Sequence, residues 1–228
     1  MIVIEICGYK GAGKSYLSGM LTKEFSNLGL DILKTSFAVP LKKLLRNLYV
    51  NKYGTNHKFK NFDEFMVLLS KKLSTLINDK KLLTEKILEN VDKLKIGYEE
   101  YFNNKNFEKG FRILAQTIET NLLRSINENI WVNITVDKIL NAKNIDIVIL
   151  DDYRFLNENL SYLEKLNKNI KAVRIRINYI NLKKDELSLH ESEKYIDKLP
   201  VDYEIIRNDK SYNITLNSLV NKILNNNL

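Results

Sequence analysis

Near the start of the chain, Gly8-Tyr9-Lys10-Gly11-Ala12-Gly13-Lys14-Ser15 carries the residue types that grip a polyphosphate. The run satisfies G-x-x-x-x-G-K-[ST] and stands between an apolar strand-like segment and a helical one, the context this motif requires. Glycines let the backbone curl so that its N–H groups point at an anion, and a helix opening at Lys14 adds the positive end of its dipole. In such a loop Lys14 sets its ammonium against the β and γ phosphates, and Ser15 offers a hydroxyl to Mg²⁺. Gly8, Lys10, Gly11, Ala12, Gly13, Lys14, Ser15 and Tyr16 are therefore the candidate contacts to ATP. Lys10 reads equally well as a second phosphate contact and as a solvated lysine.

A second constellation lies far along the chain. Ile147-Val-Ile-Leu150 is an apolar run ending in Asp151 and Asp152, with Arg154 two residues on. An acid at the end of a strand beside the phosphate loop holds Mg²⁺ through water. Asp151 is the candidate for the metal, and Asp152 and Arg154 for catalysis, although spacing alone does not choose between the two acids. Phosphoryl transfer also needs guanidinium forks for the acceptor phosphate and the moving group. Arg112, Arg124, Arg154 and Arg176 are candidates, with Arg46 behind them. Trp131, Tyr98 and Phe111 could stack a base, but packing is the more ordinary role for each. The two histidines, His57 and His190, are far apart in sequence, which argues against a histidine metal site or a hydrolytic triad.

These groups need a scaffold. Periodicity predicts strands at 1–7, 31–37, 145–150, 170–177 and 203–206. It predicts helices at 14–28, 41–49, 111–127, 130–141, 157–167 and 214–224, and two helical stretches over 63–94 broken near Asn78-Asp79. Residues 99–110 read as a loop or a fraying helix. The order β-α-β, helical block, β-α-β, charged segment, β-α implies an α/β fold with a five-stranded parallel sheet flanked by helices. The whole chain, 1–228, reads as one domain, with a helical substrate-side subdomain at 50–140 and a charged lid-like segment at 178–194.

Composition narrows the class. At 228 residues and 44% hydrophobic content the chain can bury one sizeable core. Thirty-six Lys and Arg against 28 Asp and Glu give a net charge of +8. The lysines are scattered rather than blocked, which fits a site for phosphorylated small molecules better than a nucleic-acid surface. The single cysteine, Cys7, forms no internal disulfide and fits a reducing, cytoplasmic setting. Met1–Cys7 lacks the basic start and the length of a secretory signal, and no apolar run reaches membrane-spanning length. Homodimerisation stays open.

Taken together, the residues resemble the deoxynucleoside monophosphate kinases of tailed phages and large DNA viruses, a branch of the adenylate-kinase-like P-loop kinases. Five places carry the resemblance: the loop with Lys10; Phe37-Ala-Val-Pro40-Leu-Lys42; Arg112-Ile-Leu-Ala-Gln116 with Arg124 and Trp131; Asp152-Tyr-Arg154-Phe-Leu-Asn157-Glu158; and His190-Glu-Ser192-Glu193. The chain departs from the pattern at Glu119-Thr120-Asn121 and at Ile177, and 55–108 matches nothing in it. The resemblance implies transfer of the γ-phosphoryl of ATP to a (deoxy)nucleoside monophosphate, with Mg²⁺. It implies acceptor binding by Arg112, Gln116, Arg124, Arg176 and Trp131, and a lid carrying His190, Ser192 and Glu193. Phosphomevalonate kinases share much of the layout and are the nearest alternative, followed by a nucleic-acid-linked P-loop ATPase.

Overall fold

A strand buried on both faces can afford few polar side chains, and Ile2–Cys7 (β1), apolar except for Glu5, lies at the centre of the sheet. The computed structural model describes residues 1–48, 50, 59–181, 194–208, 212 and 214–225. The other strands are Ile32–Thr35 (β2), Ile147–Leu150 (β3), Lys171–Tyr179 (β4) and Tyr203–Arg207 (β5). They form one five-stranded sheet in the order β2-β3-β1-β4-β5, with every pairing parallel. The fold is thus α/β with an all-parallel sheet flanked by helices, as the periodicity implied.

Chain contacts divide the molecule into two compact units, 1–37 with 135–228, and 38–134. In the first unit, Lys14–Asn27 (α1) presents Leu17, Leu21 and Phe25 to the sheet at four-residue spacing. Leu216–Asn225 (α9) presents Leu219, Val220 and Ile223. Both helices pack on Ile4 and Ile6 of β1 and on Val173, Ile175 and Ile177 of β4. Each such side chain contributes about 1.5–3 kcal/mol when fully buried. On the other face of the sheet, Glu5 pairs in register with Arg174 and Cys7 with Arg176.

The second unit is helical. It contains Val39–Asn47 (α2), Phe62–Leu73 (α3), Lys80–Glu89 (α4), Val91–Tyr98 (α5) and Phe107–Gln116 (α6). The start of Ile130–Leu140 (α7) also falls within it. Asn61 caps α3 by accepting from the Glu64 N–H at 2.9 Å. Asp79 caps α4 by accepting from the Leu82 N–H at 2.9 Å, which places the break foreseen near Asn78-Asp79. Phe59, Phe62, Phe65, Tyr98 and Phe102 interlock in edge-on, tilted and, for Phe62 with Phe65, stacked pairs, with centroids 4.7–6.1 Å apart. Gly110 lies flush on α5's continuation, where a Cβ would meet the Tyr101 backbone at 2.5 Å.

Of the two readings of 99–110, the helical one matches the structure: Glu99–Asn103 continues α5 as a π-helical turn that buries Tyr101, and α6 begins at Phe107. Two other expectations differ from the structure. The helix foreseen at 111–127 is α-helical to Gln116 and π-helical over Thr117–Arg124. The helix foreseen at 157–167 is broken into short turns, Leu156–Glu158 and Leu160–Tyr162, before the single turn Leu163–Leu166 (α8). Side chains take the backbone donors there. Glu158 binds the Arg154 and Phe155 N–H groups, Glu5 binds the Leu160 N–H, and Asn159 binds the Ser161 N–H.

Candidate functional site

β1 is followed by a connection to β2 on one side of the sheet, and β3 by a connection to β4 on the other side. The crevice at the carboxyl ends of β1 and β3 is therefore the topological switch point, where open parallel sheets bind ligands. Gly8–Gly13 extends from one wall of that crevice and Asp151-Asp152 from the other. The Tyr153 N–H donates to the Ile6 carbonyl at 3.2 Å and ties the chain after β3 to the end of β1.

The loop is shaped by close approaches. Gly8 has φ +148°, and a Cβ there would lie 2.6 Å from the Ile177 carbonyl oxygen. Gly13, with φ +103°, ends the loop, and α1 opens at Lys14 with no acidic residue in its first turn. The Lys14 ammonium donates to the carbonyls of Gly8 at 2.7 Å and Tyr9 at 3.0 Å, which folds it over the loop. The Ala12 N–H donates to the Tyr9 carbonyl at 3.1 Å, and the Tyr9 hydroxyl donates to Asp197 at 2.6 Å. Lys10, Gly11, Ser15 and Tyr16 are exposed, while Ala12 is buried.

Across the crevice, Asp152 accepts the Phe37 N–H at 2.8 Å, and Asp151 lies 3.9 Å from the Lys34 ammonium. Arg154 is half-buried at the start of a turn held by Glu158, whose carboxylate accepts from the Arg154 N–H at 2.7 Å and the Phe155 N–H at 3.1 Å. Glu158 is 2% exposed, so this carboxylate is an internal strut. Behind the site Glu5 is fully buried. Desolvation pushes its carboxyl well above the usual carboxylate range, against the opposing pull of the Leu160 N–H and Arg174. Burial likewise raises the Cys7 thiol to about 11, so it is an inert small hydrophobe and not a nucleophile.

The acceptor candidates fall out differently. Arg112 and Gln116 are one turn apart on α6, Arg112 exposed and Gln116 half-buried. Arg124 ends the π-helical segment, 4.0 Å from Glu119 and 3.3 Å from the Glu128 carbonyl. Two of the candidates are engaged elsewhere in the structure. Trp131 is 1% exposed, so its ring is core and has no open face for a base. Arg176 is held by its own neighbours: it pairs with Glu204 and donates to the carbonyls of Leu199 at 2.5 Å and Asp197 at 3.3 Å. Arg174 is similarly committed, bidentate to Asp202 at 2.9 and 2.7 Å. Tyr98 is core, and Arg46 is the basic residue in the last turn of α2. The lid expectation at 178–194 is altered at its start, because Asn178 and Tyr179 are the last residues of β4 and pair with Ile206 and Arg207. His190, Ser192 and Glu193, and likewise His57, lie outside the described residues.

Reading the sequence missed Arg207, whose guanidinium donates to the Ala12 carbonyl at 3.3 Å and lies 4.9 Å over the Tyr179 ring. No motif marks it, and only the pairing of β5 beside β4 brings it to the loop.

Among the described residues no group of three or more His, Cys, Asp or Glu side chains converges as a metal cluster, and no helix is long and apolar enough to cross a membrane. Compared with known protein families and with curated proteins, the chain matches none.

Proposed function

We propose that the chain is a nucleoside monophosphate kinase, moving the γ-phosphoryl of ATP to a (deoxy)nucleoside monophosphate. The observation that carries this reading is the pairing of a G-x-x-x-x-G-K-S loop with Asp151-Asp152 across the switch point of a parallel sheet. Gly8–Ser15 cradles the donor phosphates with backbone N–H groups, and Lys14 exchanges its hold on the Gly8 and Tyr9 carbonyls for the β and γ oxygens. The Ser15 hydroxyl and the Asp151 carboxylate are hard oxygen donors and fit Mg²⁺, which binds through one or two carboxylates together with substrate phosphates. When bound, the ion neutralises charge on the β and γ oxygens. Asp152, oriented by the Phe37 N–H, shapes the acceptor side of the crevice, and Arg154 grips the transferring group with its planar fork. Arg112, Gln116 and Arg124 serve the acceptor phosphate.

The test is ADP release from Mg·ATP with dTMP, dGMP, dCMP, dAMP, UMP or phosphomevalonate, for the wild type and Lys14→Ala. The expected result is ADP only when a nucleoside monophosphate is present, and at least a hundredfold less from Lys14→Ala, about 2.7 kcal/mol of barrier. Turnover with phosphomevalonate alone would move the reading to a metabolite kinase. Acceptor-independent hydrolysis stimulated by DNA would move it to a nucleic-acid-linked ATPase.

A further inference from the structure

We infer that Arg207 is a positioning residue for the donor triphosphate, locking the Ala12–Gly13 peptide so that its N–H faces the phosphates; the inference rests on reading 8–15 as a nucleotide site. Arg207 is the last residue of β5 and stands opposite Tyr179 of β4 in register. Its guanidinium lies on the Tyr179 ring, 4.9 Å from the centroid, and Nη1 donates to the Ala12 carbonyl at 3.3 Å. A Cβ built on Gly13 would lie 2.6 Å from the same nitrogen, so the guanidinium fills the space beside Gly13 where any other residue would place a side chain.

The consequence follows from peptide geometry. No described peptide bond is cis, and in a trans peptide the C=O and N–H point in opposite directions. A cation that draws the Ala12 carbonyl to one side turns the Gly13 N–H to the other. Among the described residues no acceptor takes that N–H. Rotation of this peptide changes Gly13 φ together with Ala12 ψ, and Gly13, at φ +103° with no Cβ, leaves its φ free to vary, so the loop's own residues resist the rotation weakly. The lock must come from outside, and Arg207 supplies it from a strand almost two hundred residues away in sequence. The Tyr179 ring beneath it restrains the guanidinium, and the planar fork can meet the ring and the Ala12 carbonyl together, which a lysine ammonium reproduces poorly. The arrangement also keeps a fixed positive charge beside the opening turn of α1, where the helix dipole already favours an anion.

The experiment compares wild type, Arg207→Met and Arg207→Lys in calorimetric binding of Mg·ATP, inorganic tripolyphosphate and adenosine, with kcat and KM for ATP. Methionine keeps most of the stem volume without the donor, and lysine keeps the charge without the fork. Arg207→Met is expected to weaken ATP and tripolyphosphate alike by about tenfold, the scale of one charge-assisted hydrogen bond. Adenosine affinity should be unchanged, because no phosphate is involved. Arg207→Lys should recover less than half of the loss on a logarithmic scale, and KM should rise more than kcat falls. ATP affinity within twofold of wild type in Arg207→Met would overturn the inference. So would an equal loss for adenosine, which marks general damage to the unit, or full recovery by lysine. A wild-type chain that binds neither ATP nor tripolyphosphate would overturn the nucleotide-site reading itself, and this inference with it.

Discussion

Glu158 offers the sharpest test of how the turn that carries Arg154 is built. Its carboxylate accepts from the Arg154 N–H at 2.7 Å and the Phe155 N–H at 3.1 Å while 2% exposed. Hydrogen bonds to a charged acceptor contribute about 1.5–3 kcal/mol each, and truncation leaves both donors unsatisfied. Because the turn is only partly buried, about 2–4 kcal/mol is the reasonable total for Glu158→Ala. For a chain of this size each kcal/mol moves Tm by roughly 2–4 °C, so the variant should melt about 5–12 °C lower. Glu158→Gln keeps one neutral acceptor in place and should lose about half as much. Thermal unfolding by circular dichroism gives the stability. Phosphoryl transfer measured well below both midpoints then gives the functional cost. Arg154 and Asp152 flank the strut, so Glu158→Ala should slow transfer at least tenfold even where it is fully folded. A Tm shift under about 2 °C, or the same shift for Ala and Gln, would refute the strut, since neither outcome allows a charged acceptor holding two donors.

Three further outcomes are expected. Lys14→Ala should retain the wild-type melting curve while losing transfer; activity within tenfold of wild type, about 1.4 kcal/mol, would remove Lys14 from the phosphates. Arg154→Lys should cost nearly as much rate as Arg154→Ala, because a lysine keeps charge and loses the fork; full activity in the lysine variant would make Arg154 a generic surface cation. Glu5, raised by burial, binds its proton more tightly folded than unfolded, so its contribution to stability is complete below the unfolded carboxylate pKa and declines as pH rises toward the folded value. Glu5→Gln, neutral throughout, should therefore gain Tm over wild type progressively as pH rises above the unfolded carboxylate range, and a pH-independent difference would contradict the buried, proton-holding carboxyl.

The strands were legible because parallel strands buried on both faces read as apolar runs, and Ile147–Leu150 and Ile2–Cys7 are such runs. The loop was legible because its chemistry is local: eight consecutive residues contain the turn, the cation and the hydroxyl. What escaped depends on distant partners. Arg174 and Arg176 show strand alternation, but nothing nearby reveals that Asp202 and Glu204, on the next strand's approach and in that strand, have claimed them. The segment 157–167 has helical spacing, yet Glu5, some 155 residues away, takes the Leu160 donor that a helix would use. Trp131 could be a stacking platform or core by type alone, and only burial decides. Arg207 carries no local signature, since its role exists only once β5 lies beside β4.

The central position of β1 has a consequence for how the chain is made. Ile2 pairs with Ile147 and Lys171, so the strand that emerges from the ribosome before its neighbours waits about 145 residues for the first of them. At about 5–20 residues per second, those roughly 145 residues take on the order of 7–30 s to synthesise. Throughout that interval Ile2–Cys7 is an unpaired, largely apolar edge, the kind of surface that seeks another chain. The unit 38–134 is contiguous in sequence, its described residues are largely helical, and it can settle during the wait. A nascent chain at that stage has its helical middle in hand while its leading strand still lacks both neighbours, and the loop at 8–13 gains the wall that follows β3 only after residue 150 is made.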